Sequence, residues 1–443
     1  MPADGTPFLD LRGWTLSQRR PGGQATLLAD LDLVLRPGGW VAVAGPNGSG
    51  KSSLLAFLAG ADSPLHVPTA LLPQDPDDQF VAGTVGGELA LGRRGPVVVP
   101  HGFGLEPLLD ADPRLLSAGQ KQRLALAVAL GSGPRVLLCD EPTALQDARQ
   151  AEWVLSSLEA WRQETGGCVV TATCDRREAL RADELLILGG GRVVAHGAPA
   201  SLLGEAAWRD LFDEGNDGMP TGARDARAPG REAPLLGLSG VACRFGEDGG
   251  FAGVDLELRA GDRLGICGSN GCGKSTLLAV CAGMRRPDAG EVHLGNRRLY
   301  ARGAQDTGHG LALLAPQFPE YLFSRSSVAR EIAVDPALAR LDVAAFAGEL
   351  GLPADVGARH PRDLSSGQRR RLALGLVLRS GRPLLLLDEP TVALDGPGRR
   401  LVRRLLEAVP AEAAVVVASH DHRFLAAIGC EIRVPGPGGL RPA

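Results

Sequence analysis

The chain has 443 residues, 44% of them apolar but only 4% aromatic, and carries a formal charge of −4. This is enough apolar material for two aliphatic cores. It argues against a single-strand nucleic-acid binder built on stacked rings, and against a basic surface built to neutralise phosphate backbones. Apolar runs such as 383–387 and 413–418 are far below the roughly 20 residues that span a bilayer.

In chain order, residues 40–44 read as a short apolar strand that feeds the loop Gly45-Pro46-Asn47-Gly48-Ser49-Gly50-Lys51-Ser52-Ser53. The spacing predicts a helix over 52–58 after it. Gln74 follows 23 residues beyond Lys51, in Pro73-Gln74-Asp75-Pro76-Asp77-Asp78-Gln79-Phe80. Leu116-Ser117-Ala118-Gly119-Gln120 opens an apolar-periodic helix expected over 121–130. Residues 136–139 form a continuous apolar run, the mark of a strand buried on both faces, and it ends on Asp140-Glu141-Pro142-Thr143. Asp147 follows, then a further central strand over 169–171 and Thr173-Cys174-Asp175.

The order then restarts. Residues 263–267 read as a strand before Gly268-Ser269-Asn270-Gly271-Cys272-Gly273-Lys274-Ser275-Thr276, with a helix over 275–280. Gln317, Leu364-Ser365-Ser366-Gly367-Gln368, a helix over 369–378, a strand over 384–387, Asp388-Glu389-Pro390-Thr391, Asp395, a strand over 415–418 and Ser419-His420-Asp421 complete the second pass. Motifs recurring in one order mean a duplicated domain. The expected boundaries are 1–212 and 235–443. Between them 213–234 is rich in Gly, Pro and charge, and reads as a flexible linker. Lys274 to Gln317 spans 43 residues against 23 for Lys51 to Gln74, so the first copy is expected to lack a hairpin there.

The chemistry follows from residue type. Both glycine loops match GxxxxGK[ST] between a strand and a helix, the pattern of a P-loop. Backbone N–H groups and the helix N-terminus favour phosphate, and the lysine adds a compact charge. The chain has only three lysines, Lys51, Lys121 and Lys274, among 47 basic residues, and two of them stand in these loops. Ser52 and Ser275 offer hydroxyls to Mg²⁺, and Asp140 and Asp388, at strand ends, offer carboxylates. Glu141 and Glu389 are placed to polarise an attacking water. Ser117 and Ser365 are N-cap residues whose helices present backbone donors to an anion. The eight cysteines show no metal-binding spacing, and no targeting segment is recognisable at the start.

This set, in this order and twice over, resembles the ATP-binding cassette (ABC) ATPases. The resemblance implies an α/β fold of tandem P-loop NTPase domains. Each would have a RecA-like mixed sheet core, an antiparallel β subdomain and a helical subdomain. It also implies ATP and Mg²⁺, with two sites in one chain. Each site would pair one domain's P-loop with the other's signature: Ser365, Gly367 and Gln368 for the first site, Ser117, Gly119 and Gln120 for the second. In the same terms Gln74 and Gln317 match the Q-loop glutamines at Mg²⁺, Asp147 and Asp395 the D-loop aspartates, and His420 the switch histidine. Phe245 matches the aromatic that stacks on adenine. The first copy departs from this pattern, with Cys174 at the switch position and Gln18 at the stacking position. The site on Lys274, Glu389 and His420 is therefore expected to do most of the hydrolysis.

The segments after Gln74 and Gln317, the second reading Phe318-Pro319-Glu320-Tyr321-Leu322-Phe323, resemble those of the paired ATPases of energy-coupling factor (ECF) importers. This implies a peripheral ATPase on the cytoplasmic face of a bacterial membrane. Its partners would be a transmembrane scaffold and, through it, a membrane protein that binds a vitamin or transition-metal ion. Asp75 stands where that family has Asn, and a Gln is missing after Tyr321. A fused ATPase of another importer or exporter, a non-hydrolysing nucleotide-gated module and a soluble twin-ABC translation factor are the rival readings. The last of these would want a long charged helical linker and a basic surface.

Overall fold

The computed structural model describes residues 6–20, 23–91, 102–144, 146–212, 234–245, 249–300, 310–317, 322–392 and 394–443. Most of the expected linker, at 213–233, and residues 318–321 after Gln317 lie outside the described residues, as does the Gln18 side chain. The chain divides into two compact units, Met1–Asp213 and Glu214–Ala443.

In the first unit β1 (Leu9–Arg20) and β2 (Gly23–Leu35) form an antiparallel pair. β3 (Trp40–Ala44) runs into the first glycine loop and α1 (Lys51–Ala59) leaves it. Then come β4 (Thr69–Leu72), α2 (Val85–Ala90), α3 (Ala118–Gly131), β5 (Val136–Asp140), α4 (Ala148–Thr165), β6 (Cys168–Thr173), α5 (Arg176–Arg181), β7 (Glu184–Gly189) and β8 (Arg192–Gly197). Two short helices follow, α6 (Pro199–Leu202) and α7 (Ala206–Arg209). The central sheet runs β4-β5-β6-β3-β7-β8, parallel except at the β7–β8 edge.

The pleat of β3 shows how the two faces are filled. Val41 and Val43 pack with α1 and the β1–β2 pair, in a core that includes Leu28, Leu31, Leu54 and Leu58. Trp40, Ala42 and Ala44 point the other way, into a core with Leu124, Val154 and Leu158 of the long helices. Alternate residues face opposite sides of a strand, so a five-residue apolar run serves both cores.

The second unit repeats the plan. β9 (Leu236–Phe245), β10 (Gly249–Leu258), β11 (Arg263–Ile266), α8 (Lys274–Cys281), β12 (Ala289–Leu294), β13 (Arg297–Leu299) and β14 (Ala312–Ala315) lead to α9 (Val328–Ile332), α10 (Val343–Glu349) and α11 (Ser366–Leu378). β15 (Leu384–Asp388), α12 (Gly396–Glu407), β16 (Ala414–Ala418), α13 (His422–Ala427), β17 (Glu431–Gly436) and β18 (Gly439–Pro442) complete it. Its central sheet runs β14-β15-β16-β11-β17-β18. A separate antiparallel sheet has four strands, β10-β9-β12-β13, where the first unit has two. Between α1 and β4 the first chain segment makes only turns.

Strand and helix positions follow the apolar runs closely. The helices extend a residue or more beyond the expected ranges, because Gly50 and Gly273 act as the N-caps and the lysines already lie in the first turn. β11 ends one residue short of the expected 267, although the Cys267 N–H still donates to the Arg433 carbonyl at 2.8 Å.

Candidate nucleotide sites

Each glycine loop sits between the central strand of its sheet and a helix. Gly50 (φ 106°) and Gly273 (φ 99°) take a left-handed backbone that side-chain residues avoid. A Cβ on Gly50 would lie 2.7 Å from Leu28, and one on Gly273 would lie 2.8 Å from Phe251 and 2.9 Å from Phe245. No side-chain hydrogen bond caps α1 or α8, so their first-turn donors face the loop, as an anion site requires. Lys51 Nζ donates to the Gly45 carbonyl at 2.7 Å, and Lys274 Nζ to the Gly268 carbonyl at 2.8 Å. Both lysines are buried, so each charge is held inside its own loop. Asn47, Gly48, Asn270 and Gly271 lie in the same two loops, and Ser53 and Thr276 follow on the helices.

The metal-type residues meet as pairs. Asp140 is hydrogen-bonded to Ser52, and Asp388 to Ser275. Burial raises the Asp140 carboxyl above its usual range, against the pull of Ser52 and Lys51. Asp388 is pushed up to about 6, first by burial and further by the neighbouring Glu389, against Ser275 and Lys274. Asp388 Oδ1 is buried with no hydrogen-bond partner among the described residues. An oxygen-only pair of this kind, with an unsatisfied carboxylate oxygen, fits a hard cation such as Mg²⁺.

The two glutamates are held differently. Both Glu141 and Glu389 have φ 48°, a strained left-handed backbone at the turn after the strand. Glu389 accepts from the Ser419 hydroxyl at 3.1 Å and the His420 N–H at 3.1 Å, and pairs with His420 Nδ1 at 3.0 Å. Lys274 Nζ lies 3.6 Å away. Burial pushes this carboxyl up, but His420, Lys274 and Ser419 together outweigh it and hold the group below its ordinary value. Glu141 accepts instead from Gln74 Nε2 at 3.1 Å. Cys174, at the switch position, points its Sγ to the Gly45 carbonyl at 3.6 Å.

Ser117 and Ser365 cap α3 and α11, and Gln120 and Gln368 return their side-chain oxygens to the cap N–H at 2.9 and 3.0 Å. Each signature is thus a reciprocal capping box, which occupies part of both glutamines' hydrogen-bonding capacity. Ser117→Ala is expected to destabilise the first unit by about 1 kcal/mol, read as a shift in its urea midpoint. Asp147 and Asp395 cap α4 and α12. Gly119 is covered by the Gln150 side chain. The Phe245 ring rests against the second glycine loop. On the ladders Phe245 pairs with Gly249 and Gln18 with Ala25, and a register shift between Leu16 and Ser17 in the first unit has no counterpart between Cys243 and Phe245 in the second.

Four side chains make contacts that the motifs do not announce. Arg370, buried on α11, donates to the carbonyls of Gln317 and Val392. Glu88 accepts from the N–H groups of Val81, at 2.5 Å, and Ala82, and Glu331 does the same for Ser324 at 3.0 Å and Arg325 at 2.7 Å. The repeated [ST]-Val-x-x-Glu of Thr84–Glu88 and Ser327–Glu331 could have flagged that pair. Glu178 on α5, 1% exposed, accepts from Thr143, and nothing in the sequence around it sets it apart.

Two glycine loops with inward lysines, each beside a strand-end Asp-Glu pair, define a tandem P-loop ATPase. The ABC transporter family pattern matches residues 28–76, 99–144 and 251–392, over half of the chain. The chain belongs to the ABC transporter ATP-binding family. It is 30% identical to an ABC transporter ATP-binding protein of Streptomyces coelicolor, over 92% of this chain and 90% of the other. It is 31% identical to an uncharacterized ABC transporter ATP-binding protein of Mycobacterium tuberculosis, over 91% of this chain and 58% of that one. Among solved structures it resembles the archaeal ribosome recycling factor aABCE1, crystallised with the ribosomal stalk protein aP1. That match has a TM-score of 0.62 and 21% identity, covering 93% of this chain and 86% of the other, and it speaks to the fold alone. The chain is therefore an ABC ATPase with two ABC domains.

Proposed function

We propose that the chain is the ATP-hydrolysing, energy-coupling subunit of an ECF-type importer for a vitamin or transition-metal ion. The observation that carries its enzymatic half is the contrast between the two glutamates. Glu389 is buried, ionised and bonded to His420, ready to accept a proton from a water and to keep the imidazole oriented. Glu141 has the Gln74 amide as its partner, and Cys174 supplies no imidazole. The Lys274 site then carries most turnover, and the Lys51 site binds ATP and turns over slowly. Mg²⁺, held by Ser275 and Asp388 or by Ser52 and Asp140, with Gln317 or Gln74 near it, would neutralise phosphate charge. In this reading each unit contributes one P-loop and one signature serine.

The importer half rests on the segments after Gln74 and Gln317. No helix among the described residues is long and apolar enough to cross a membrane; in this reading a transmembrane scaffold supplies the path. The test is affinity purification of the tagged chain from detergent-solubilised membranes of its native bacterium. A polytopic scaffold and a small membrane binding protein are expected to co-purify in stoichiometric amounts. Recovery of ribosomal particles instead would favour a soluble twin-cassette factor.

A further inference from the structure

In the second unit the catalytic carboxylate itself ties β15 to the segment after β16, through Ser419 and His420. The first unit ties the corresponding segments with a different carboxyl. Glu178 Oε1 accepts from the Thr143 N–H at 3.1 Å and from the Thr143 hydroxyl, and the Thr173 hydroxyl lies beside it. Thr143 stands two residues after Glu141, in the turn closed by the Ala144 N–H on the Glu141 carbonyl at 3.1 Å and the Gln146 N–H on the Thr143 carbonyl at 3.0 Å. The place of Glu178, three residues after the N-cap Asp175, is taken in α13 by Phe424, three after Asp421.

We infer that Glu178 is the positioning residue of the first ATP site: through Thr143 it holds the turn that carries Glu141. It ties that turn to α5, while Glu141 itself accepts from the Gln74 amide. This rests on the reading that the Lys51 site binds and slowly hydrolyses ATP. Glu178 acts through Thr143 and touches no substrate. Burial above all, then the negative charges of Asp175 and Glu141, push its carboxyl up to about 8 against the pull of Thr143 and Thr173, so it is neutral near pH 7. Either form of the side chain accepts the two Thr143 donors through one carbonyl-type oxygen, and a glutamine carbonyl can accept the same two.

The experiment uses the full chain carrying Glu389→Gln together with Lys274→Ala, which removes hydrolysis and weakens nucleotide binding at the second site. It adds Glu178→Gln or Glu178→Phe, the latter installing the residue of the second unit. Binding of a fluorescent ATP analogue with Mg²⁺ is measured, together with hydrolysis of radiolabelled ATP followed over hours. The glutamine variant is expected to match its parent within twofold in both. The phenylalanine variant is expected to keep the affinity and to hydrolyse at least fivefold more slowly. Thr143→Val, which keeps the shape and removes the hydroxyl, is expected to slow hydrolysis in the same direction and to add little to Glu178→Phe. Unchanged hydrolysis in both Glu178→Phe and Thr143→Val, or a parallel loss of binding in both, overturns the inference. So does a parent that binds the analogue without hydrolysing. Analogue binding that persists unchanged in Lys51→Ala sinks the first-site reading instead.

Discussion

Glu389→Gln is expected to abolish nearly all ATP turnover, with a fall of at least a hundredfold in kcat, whereas Glu141→Gln is expected to leave more than half of it. The asymmetry follows from what each carboxylate touches. Glu389 combines a hydrogen-bonded imidazole, a serine hydroxyl, a backbone N–H and a lysine at 3.6 Å, which together overcome the cost of burial and keep the group charged. A charged, oriented base is the form that accepts a proton from water, and such general-base catalysis is worth about 10²–10⁴-fold. Removing the charge while keeping the shape isolates that term, since glutamine preserves the size of the side chain. Steady-state ATPase of the two purified variants, with binding of an ATP analogue as the folding control, decides the matter. Equal losses would refute the asymmetry.

Trp40→Ala unfolds the first unit far more easily and spares the second. Trp40 is fully buried at the start of the strand that feeds the glycine loop, and its Nε1 donates to the Thr171 hydroxyl at 3.1 Å. Large-to-alanine changes at such positions cost about 3–5 kcal/mol through lost transfer energy and the cavity left behind. The orphaned Thr171 hydroxyl adds to this. Calorimetry is expected to show a component lowered by about 10 °C or more and a second component unchanged. The second unit lacks this dependence because Arg263 stands in place of Trp40 and binds the carbonyls of Ile428 at 3.0 Å and Leu406 at 2.8 Å.

A pH test follows from Glu178. The unfolded chain releases this proton near the usual value of 4.5, and the folded unit keeps it to about 8. Folding therefore takes up a proton across that window, and the first unit loses stability as pH rises through it. Urea midpoints of the first unit at pH 5, 6, 7 and 8 are expected to fall in the wild type and to flatten in Glu178→Gln.

What the sequence by itself determined was local. The glycine loops, the inward lysines, the N-capping serines and the buried strands all rest on interactions within a few residues, and each was legible as a motif or a run. Repetition did the rest: two passes of one order define two similar units, and the 20-residue difference between the Lys-to-Gln spacings corresponds to β12 and β13. The tertiary structure alone decided which partner each carboxylate meets. Gln74 and Glu141 are 67 residues apart, and Thr143 and Glu178 are 35 apart. They meet because β4, β5 and β6 lie side by side in the sheet. Sequence spacing carries no record of that order, so Glu178 reads in the chain as one more acidic residue on a short helix. In the fold it is a buried acid, the cost of its apolar site offset by the Thr143 donors that the turn after β5 brings to it.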